Sequence, residues 1–227
     1  MSKNNNFNKG ILLTAAGSFW WGVIGVIYFK YIAFAGHIEV VIHRSFWTTV
    51  MLVLTSLLLY KFRKITDVFN NKKKLTLLFF SGILIFTNWA VWIYAVSTDR
   101  VIDASFGYFI MPILSVLLGY FFFKEKLNKK RFFSIMLVIL SILFLIFVSI
   151  KSLPWVGLIV ALSWGFYNLV RKKINVDTDV GLLIESLFIL PFALLAFYLI
   201  ASKGYNDFRL SDPSMMLFIY LAGPMTV

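Results

Sequence analysis

The chain has 227 residues, of which 60% are hydrophobic, 19% aromatic and only 14% charged, and its formal net charge is +12. A soluble domain of this length needs a polar surface that so few charged residues cannot supply, so the composition excludes a soluble fold and predicts a membrane protein. Because the chain has no cysteine and only two histidines, the sequence also excludes disulfides, sulfur-ligated metals and a histidine-rich metal centre.

Charge-poor blocks follow one another along the chain and predict the transmembrane helices. A helix that crosses the hydrocarbon core of a bilayer needs roughly 20 mostly apolar residues. Blocks of this kind predict seven complete helices at 10–29, 40–60, 75–98, 104–123, 132–150, 152–170 and 180–202, and the start of an eighth from 213 to 227. The blocks lack the period-2 alternation of a membrane β-barrel. The predicted fold class is therefore an all-α integral membrane protein, a polytopic helix bundle.

The basic residues predict the orientation of this bundle. Of the 22 Lys and Arg residues, sixteen lie in the N-terminal tail and in the second, fourth and sixth connections between spans. Five lie in the odd-numbered connections, and Arg44 lies within a span. By the positive-inside rule the N-terminus is cytoplasmic. Because the charge falls between apolar blocks, it suits lipid headgroups, and we expect the bilayer rather than nucleic acid as a partner.

Two segments of the chain are similar and predict an internal repeat. Residues 18–30 and 161–173 share three identities at a constant offset: Trp21 with Trp164, Gly22 with Gly165, and Lys30 with Lys173. The first copy contains five helices, an odd number, so the second enters the membrane from the opposite side. Inverted repeats are common in secondary transporters. We predict a first repeat at 1–150 and a partial second repeat at 151–227. A chance likeness between two apolar segments is the alternative.

Ionisable residues occur at the start of the second span. Glu39 and His43 are four residues apart and share a helix face. Arg44 is the next residue and is turned by about 100° around the helix axis from His43. An ionisable group at a helix centre costs about 2.5–3.5 kcal/mol, so such residues usually face the bundle interior or a water-filled cavity. Alternatives are a headgroup-solvated acid for Glu39, a helix–helix hydrogen bond for His43, and an ion pair or snorkelling for Arg44.

Polar and aromatic residues at a similar depth extend this set. Asn88, Trp89 and Trp92 lie toward the outer half of the third helix, and Tyr108 lies one turn into the fourth. Pro112, near the middle of the fourth helix, removes a backbone hydrogen bond and frees a carbonyl. The alternatives are an aromatic belt at the membrane interface for the tryptophans and a static kink for Pro112.

Downstream of the similar segments, each copy reaches a glycine and then an acid: Gly36 before Glu39 in the first copy, and Gly181 before Glu185 in the second. Inversion of the repeat places Glu185 near the cytoplasmic side. An acid near each mouth suits a carrier that opens alternately and either takes up a proton or attracts a cationic group. The sequence contains no HExxH, no GxxxxGK[ST] and no GxSxG motif, so we predict no catalytic site and no cofactor. Any pumping then draws on an ion gradient or on the gradient of the solute.

Several motifs together resemble a known family. They read WWGVIGVIYFKYI, EVVIHRSFW, NWAVWIYAV, DASFGYFIMPILSVLLGYFFFKEKL, SLPWVGLIVALSWGFYNLVRKK and GLLIESLFILP. From about residue 9 onward the chain resembles the RarD group of the EamA family, within the drug/metabolite transporter superfamily. The resemblance implies ten helices in two inverted five-helix halves and transport across the bacterial cytoplasmic membrane, but no substrate. Asp103 stands where the group usually has Glu, and Met111 where it usually has Asn.

The resemblance also implies further helices after Val227, so we expect the sequence to be a fragment or the product of a broken gene. The predicted function is secondary transport of a small metabolite or drug-like solute by alternating access. An integral-membrane enzyme acting on lipid or isoprenoid groups, and a non-transporting scaffold or receptor, are the alternatives. The expected partners are the solute and the bilayer, with a homodimer as an option for the assembly. The pathway candidates are Glu39, His43, Arg44, Asn88, Trp92, Tyr108, Pro112 and Glu185.

Overall fold

A computed structural model of the chain describes residues 2–125, 128–145, 147, 154–208 and 213–226. The α-helices in these ranges are α1 (Ser2–Phe19), α2 (Val26–Tyr31), α3 (Gly36–Leu58), α4 (Phe62–Phe69), α5 (Lys72–Ser97), α6 (Val101–Phe123), α7 (Lys129–Leu145), α8 (Trp155–Ile174), α9 (Thr178–Ser202) and α10 (Pro213–Tyr220). A π-helical segment, Trp20–Gly25, joins α1 to α2, and a 3₁₀ turn, Ile32–Ala35, joins α2 to α3. Four parts of the prediction lie outside the described residues: the end of span 132–150, the start of span 152–170, the repeat boundary at 150, and Val227.

The helices agree with the predicted spans and confirm an all-α polytopic membrane bundle. Within the described ranges, four helical runs are long and apolar enough to cross a membrane: Phe7–Leu58, Lys72–Ser97, Val101–Phe123 and Thr178–Ser202. A shorter apolar helix covers Phe132–Phe144, and α8 overlaps the sixth predicted span from 155 to 170 and continues to Ile174. Large apolar side chains such as Phe121, Phe192 and Tyr198 are exposed on the outside of the bundle, where a bilayer rather than water is the favourable solvent.

The run Phe7–Leu58 contains two of the predicted spans because the chain reverses inside it. Gly36 follows the 3₁₀ turn with φ of 73°, a conformation that glycine adopts without steric cost. In one continuous helix, Trp21 and Arg44 would be about 35 Å apart. Instead the guanidinium carbon of Arg44 lies 5.2 Å from the centre of a Trp21 ring. The segment before the turn therefore folds back along α3.

Ion pairs between connections show which helix ends lie together. At one end they join the second, fourth and sixth connections: Lys61 with Asp179, Lys64 with Asp177 at 2.6 Å, and Lys172 with Glu125 at 3.0 Å. At the opposite end, Lys30 pairs with Asp99 and joins the first and third connections. The hydrogen bond and the charge of Asp177 raise the pKa of Lys64, which is consistent with a formed pair. The helices therefore run alternately up and down, with the basic connections at one end.

The short helix α4 lies at this basic end and has no counterpart among the predicted spans. Its Val68 is buried in one cluster with Leu78 of α5 and Ile184 of α9, while Lys64 points outward. An eight-residue amphipathic helix is too short to cross the bilayer and suits the membrane interface. It covers the ends of α5 and α9.

The centre of the bundle is formed by α5, which packs against α3, α8 and α9. Helix α8 also packs closely on α6, and α9 packs on α3. The α6–α8 contact depends on two glycines, since a Cβ at Gly107 would lie 2.6 Å from the carbonyl oxygen of Gly157. A Cβ at Gly157 would lie 2.5 Å from the carbonyl oxygen of Asp103. Small residues of this kind allow membrane helices to bring their backbones into contact.

Candidate functional site

Arg44 of α3 is buried inside the bundle, with 2% of its surface exposed. Four aromatic rings surround its guanidinium carbon, with ring centres at 4.6 Å (Trp89), 4.9 Å (Phe29), 5.2 Å (Trp21) and 6.0 Å (Trp92). We call this arrangement the aromatic cage. A cation over an aromatic face gains about 2 kcal/mol or more when both groups are removed from water. The cage therefore compensates part of the cost of burying the charge.

The four rings of the cage come from the helices on both sides of Arg44. Trp21 lies in the π-helical segment and Phe29 in α2, so the reversal before α3 brings both against Arg44. The ring of Trp92 meets Trp21 and Phe29 edge-on, with centres 5.9 and 5.3 Å apart. Edge-on aromatic pairs of this geometry are favourable and hold the rings in place. The cage is thus a packed unit rather than a chance contact.

Polar groups reach Arg44 from three further places. Its Nε donates to the Oγ1 of Thr226 at 3.0 Å. The phenol groups of Tyr28 and Tyr108 lie close enough to interact electrostatically with the guanidinium. Tyr28 donates from its hydroxyl to the carbonyl oxygen of Phe218 at 2.6 Å, whereas Tyr108 is 51% exposed on α6. Tyr108 therefore lies between the cage and the surface of the bundle.

The charge of Arg44 has no acidic partner in the part of the chain that the structure describes, since the ion pairs found there do not include it. Burying an ion costs several kcal/mol unless an opposite charge and hydrogen bonds compensate it. Aromatic faces and one hydroxyl supply only part of this compensation. A buried guanidinium group of this kind can form charge-assisted hydrogen bonds with an anionic group.

Glu39 and His43 face a different part of the molecule. The carboxylate of Glu39 accepts backbone hydrogen bonds from Asp207 at 2.8 Å and from Phe208 at 3.2 Å. His43 Nε2 lies 3.5 Å from Glu39 Oε1, and its ring contacts Phe197 and Phe208. Glu39 is buried and anchors the segment that follows α9. These contacts hold the protein together at the end opposite the basic connections.

Asn88 and Pro112 also point away from the cage. Asn88 Nδ2 donates to the carbonyl oxygen of Val160 at 3.1 Å and to Ser163 Oγ at 3.2 Å, and so joins α5 to α8. Pro112 lies inside α6, and its exposed ring lines a groove of about 330 Å³ between α6 and α7. The residues that line this groove do not include Arg44.

Glu185 of α9 forms a second buried polar cluster, toward the basic end. Its Oε1 lies 2.5 Å from Ser81 Oγ, its Oε2 accepts from the hydroxyl of Tyr167 at 3.2 Å, and Arg171 Nη1 lies 3.7 Å from Oε1. Arg171 passes directly over Gly181, where any Cβ would overlap its guanidinium group. The glycine therefore lets a cation from the end of α8 approach an acid on α9.

The structure thus separates the predicted pathway residues into several places. Arg44 and Trp92 meet in the cage with Tyr108 beside them, Glu39 and His43 lie at one end of the α3–α9 pair, and Glu185 lies toward the other. Trp89 was grouped with Asn88 and Trp92 in the sequence but was not a pathway candidate. The remaining residues of the cage and of the Glu185 cluster had no predicted site role: Trp21, Phe29, Ser81, Tyr167 and Arg171. Trp21 was visible only as part of the repeat, and Arg171 only as one of the basic residues that set the orientation.

Comparisons with known proteins show which proteins this chain is similar to in sequence. Residues 8–147 match the EamA-like transporter family. A protein named "Uncharacterized transporter" from Vibrio cholerae is 35% identical over 96% of this chain and 72% of its own length. Proteins named RarD from Salmonella typhi and Escherichia coli are 33% and 32% identical over 96% of this chain, and over 74% and 73% of their own lengths.

Proposed function

This chain belongs to the EamA-like transporter family, and we propose that it is a secondary transporter whose small solute carries an anionic group and passes the aromatic cage of Arg44. The family and the names of the relatives support a multi-pass membrane transporter rather than a membrane enzyme. We place it in the bacterial cytoplasmic membrane with its N-terminus and basic connections in the cytoplasm, because its relatives are bacterial and sixteen basic residues lie on that side.

The burial of Arg44 without an acidic partner in the described residues is the observation that carries this proposal. An anion beside the guanidinium would form charge-assisted hydrogen bonds, which are roughly twice as strong as those between neutral groups. The surrounding rings of Trp21, Trp89 and Trp92 offer apolar faces to the rest of the solute. The site therefore suits a small carboxylate or a similar anion on an apolar body.

The arrangement of α3 and α9 supports alternating access by two inverted repeats at 1–150 and 151–227. In the predicted repeat these two helices correspond to each other. They pack together, and the pair between Lys61 after the end of α3 and Asp179 at the start of α9 shows that they run in opposite directions. Each carries one buried acid, Glu39 or Glu185, within two turns of its beginning, so the two acids lie toward opposite ends of the pair. Rocking of one repeat against the other would open the cage to each side in turn.

A proteoliposome assay with Arg44 variants tests the proposal. We expect counterflow of labelled small carboxylates, with little counterflow of the matched amides and amines. Arg44→Gln removes the charge, and Arg44→Lys keeps the charge but loses the flat contact with the rings. We expect Arg44→Gln to lower carboxylate counterflow at least tenfold, which corresponds to about 1.4 kcal/mol.

Asn88→Ala is the matched control, because Asn88 is a buried polar residue that contacts α8 and not the cage. It should keep most of the counterflow. A folded Arg44→Gln protein that moves carboxylates as well as the parent would refute the role of Arg44, and so would counterflow restricted to amines. Quenching of tryptophan fluorescence by the same carboxylates gives an independent measure of binding at the cage.

A further inference from the structure

Glu185 has no exposed surface, and the guanidinium group of Arg171 lies close to its carboxylate without a hydrogen bond to it. It lies about 10 Å along α9 from the helix start. Ser81 of α5 and Tyr167 of α8 place hydroxyl groups on its two oxygens. Three helices therefore meet at one titratable group.

The hydroxyl of Ser81 has two acceptors within reach but only one hydrogen. Its Oγ lies 3.1 Å from the carbonyl oxygen of Leu78 and 2.5 Å from Oε1 of Glu185. If Glu185 is charged, Ser81 donates to it. If Glu185 is neutral, its own proton is donated to Ser81, and Ser81 donates to Leu78. The same atoms thus satisfy both protonation states of Glu185 without rearrangement.

The position of Arg171 is also compatible with both the charged and the neutral form of Glu185. Its Nη2 donates to the carbonyl oxygens of Asp177 at 3.3 Å and Thr178 at 3.1 Å, which fixes it at the turn between α8 and α9. Its Nη1 is buried and has no hydrogen-bond partner among the described residues. At 3.7 Å from Glu185, Nη1 is about 0.5 Å beyond the usual hydrogen-bond range. A small movement of Arg171 would complete the ion pair when Glu185 is charged.

Among the described residues, the other charged groups near this cluster are paired, distant or, like Arg63 and Asp67 of α4, exposed at the surface. At the start of α9, Asp179 pairs with Lys61 from the connection after α3, and Lys64 of α4 pairs with Asp177. On α5, the charged residues at 72–74 lie about 10 Å or more from Ser81. On α3, the charged side chains lie in its first turns, toward the opposite end of the α3–α9 pair. In the part of the chain that the structure describes, Arg171 and Tyr167, both on α8, are therefore the titratable groups that face Glu185 directly.

We propose that Glu185 is a proton-binding site, in which the carboxyl group alternates between a neutral form that donates to Ser81 and a charged form that pairs with Arg171. Binding adds one proton to the carboxylate and releases Arg171 from the pair, while the two carbonyls continue to hold it. In the transporter proposed above, and resting on that proposal, this site makes H⁺ the coupling ion. Proton binding itself does not depend on the transport of any solute.

Infrared difference spectroscopy of the protein in lipid nanodiscs tests this site directly. As the pH is lowered, we expect the high-frequency carbonyl band of a protonated carboxyl group shielded from water to appear. Glu185→Gln should remove this band. Glu39→Gln should keep it, because Glu39 is the other buried glutamate and contacts backbone amides at the opposite end.

Arg171→Gln is a second variant that assigns the band even if Glu185→Gln fails to fold. Loss of the cation favours the neutral carboxyl group, so the band should persist to higher pH. A band that is the same in Glu185→Gln, a band that does not respond to pH, or an unchanged transition in Arg171→Gln would each overturn the proposal. Because this readout needs no solute, its outcome is separate from that of the Arg44 counterflow assay.

Discussion

Gly107 and Gly157 bring the backbones of α6 and α8 into direct contact, so Gly107→Ala inserts one methyl group where there is no space. The added Cβ would lie 2.6 Å from the carbonyl oxygen of Gly157 and 3.1 Å from two carbon atoms of Val160. Favourable contacts between carbon atoms lie at about 3.5–4.0 Å, so the helices must separate by roughly 1 Å. Both obstructing groups belong to a packed helix, and one of them is backbone.

Overpacking of this kind costs about 1–3 kcal/mol. A glycine-to-alanine change inside a helix also gains up to about 1 kcal/mol of helix propensity, which has to be subtracted. Gly17→Ala is the matched control, because Gly17 also lies in a helix and a Cβ there meets nothing within 4 Å. The difference between the two variants therefore isolates the steric cost.

The melting temperature of the purified protein in detergent, followed by tryptophan fluorescence, measures this difference. For a chain of this size, 1 kcal/mol corresponds to about 2–4 °C. We expect Gly107→Ala to melt about 2–12 °C below Gly17→Ala. The double variant Gly107→Ala, Gly157→Ala should lower the melting temperature by less than the sum of the two single decreases, because one separation of α6 and α8 makes room for both methyl groups. Equal melting of Gly107→Ala and Gly17→Ala would refute the packing argument.

Three further variants test the polar contacts of the bundle. Glu39→Gln should lose about 1–3 kcal/mol of stability, because each oxygen of the carboxylate accepts from a backbone amide and the neutral amide of Gln has only one oxygen. The change should also expose the segment at 205–208 to protease. Limited proteolysis that is the same as in the parent would contradict this. Asn88→Ala should lower the free energy of unfolding by less than about 2 kcal/mol, since hydrogen bonds between membrane helices average about 0.6 kcal/mol. Tyr28→Phe should lower the melting temperature only slightly for the same reason, and a large decrease would show that its hydroxyl does more than bond Phe218.

The agreement between predicted and observed helices has a local cause. In hydrocarbon each segment has to satisfy its own backbone hydrogen bonds, so an apolar block of about 20 residues forms a helix whatever its neighbours are. Helix α4 was not predicted, because an amphipathic helix of eight residues is far shorter than a membrane span. The reversal at Ile32–Ala35 was predicted in position, since a polar gap separates the first two apolar blocks.

The contacts of individual polar residues did not follow from the pattern. Asn88 and Trp92 share a face of α5 by helical periodicity, yet Asn88 contacts α8 and Trp92 contacts Arg44. Glu39 binds backbone amides, which every residue carries and which therefore leave no signature in the sequence. Which of these residues contact a solute remains a prediction for the transport assays.

The sequence by itself determined that this protein is a multi-pass helical membrane protein, how its spans follow one another, and that Arg44 and Glu185 would need polar or ionic surroundings. These properties depend on composition and on local periodicity. Only the tertiary structure decided that Arg44 sits among four aromatic rings and that Glu185 meets Ser81, Tyr167 and Arg171. Those partners come from segments distant in the chain, and the rotation and pairing of packed helices, which bring them together, are properties of the whole bundle.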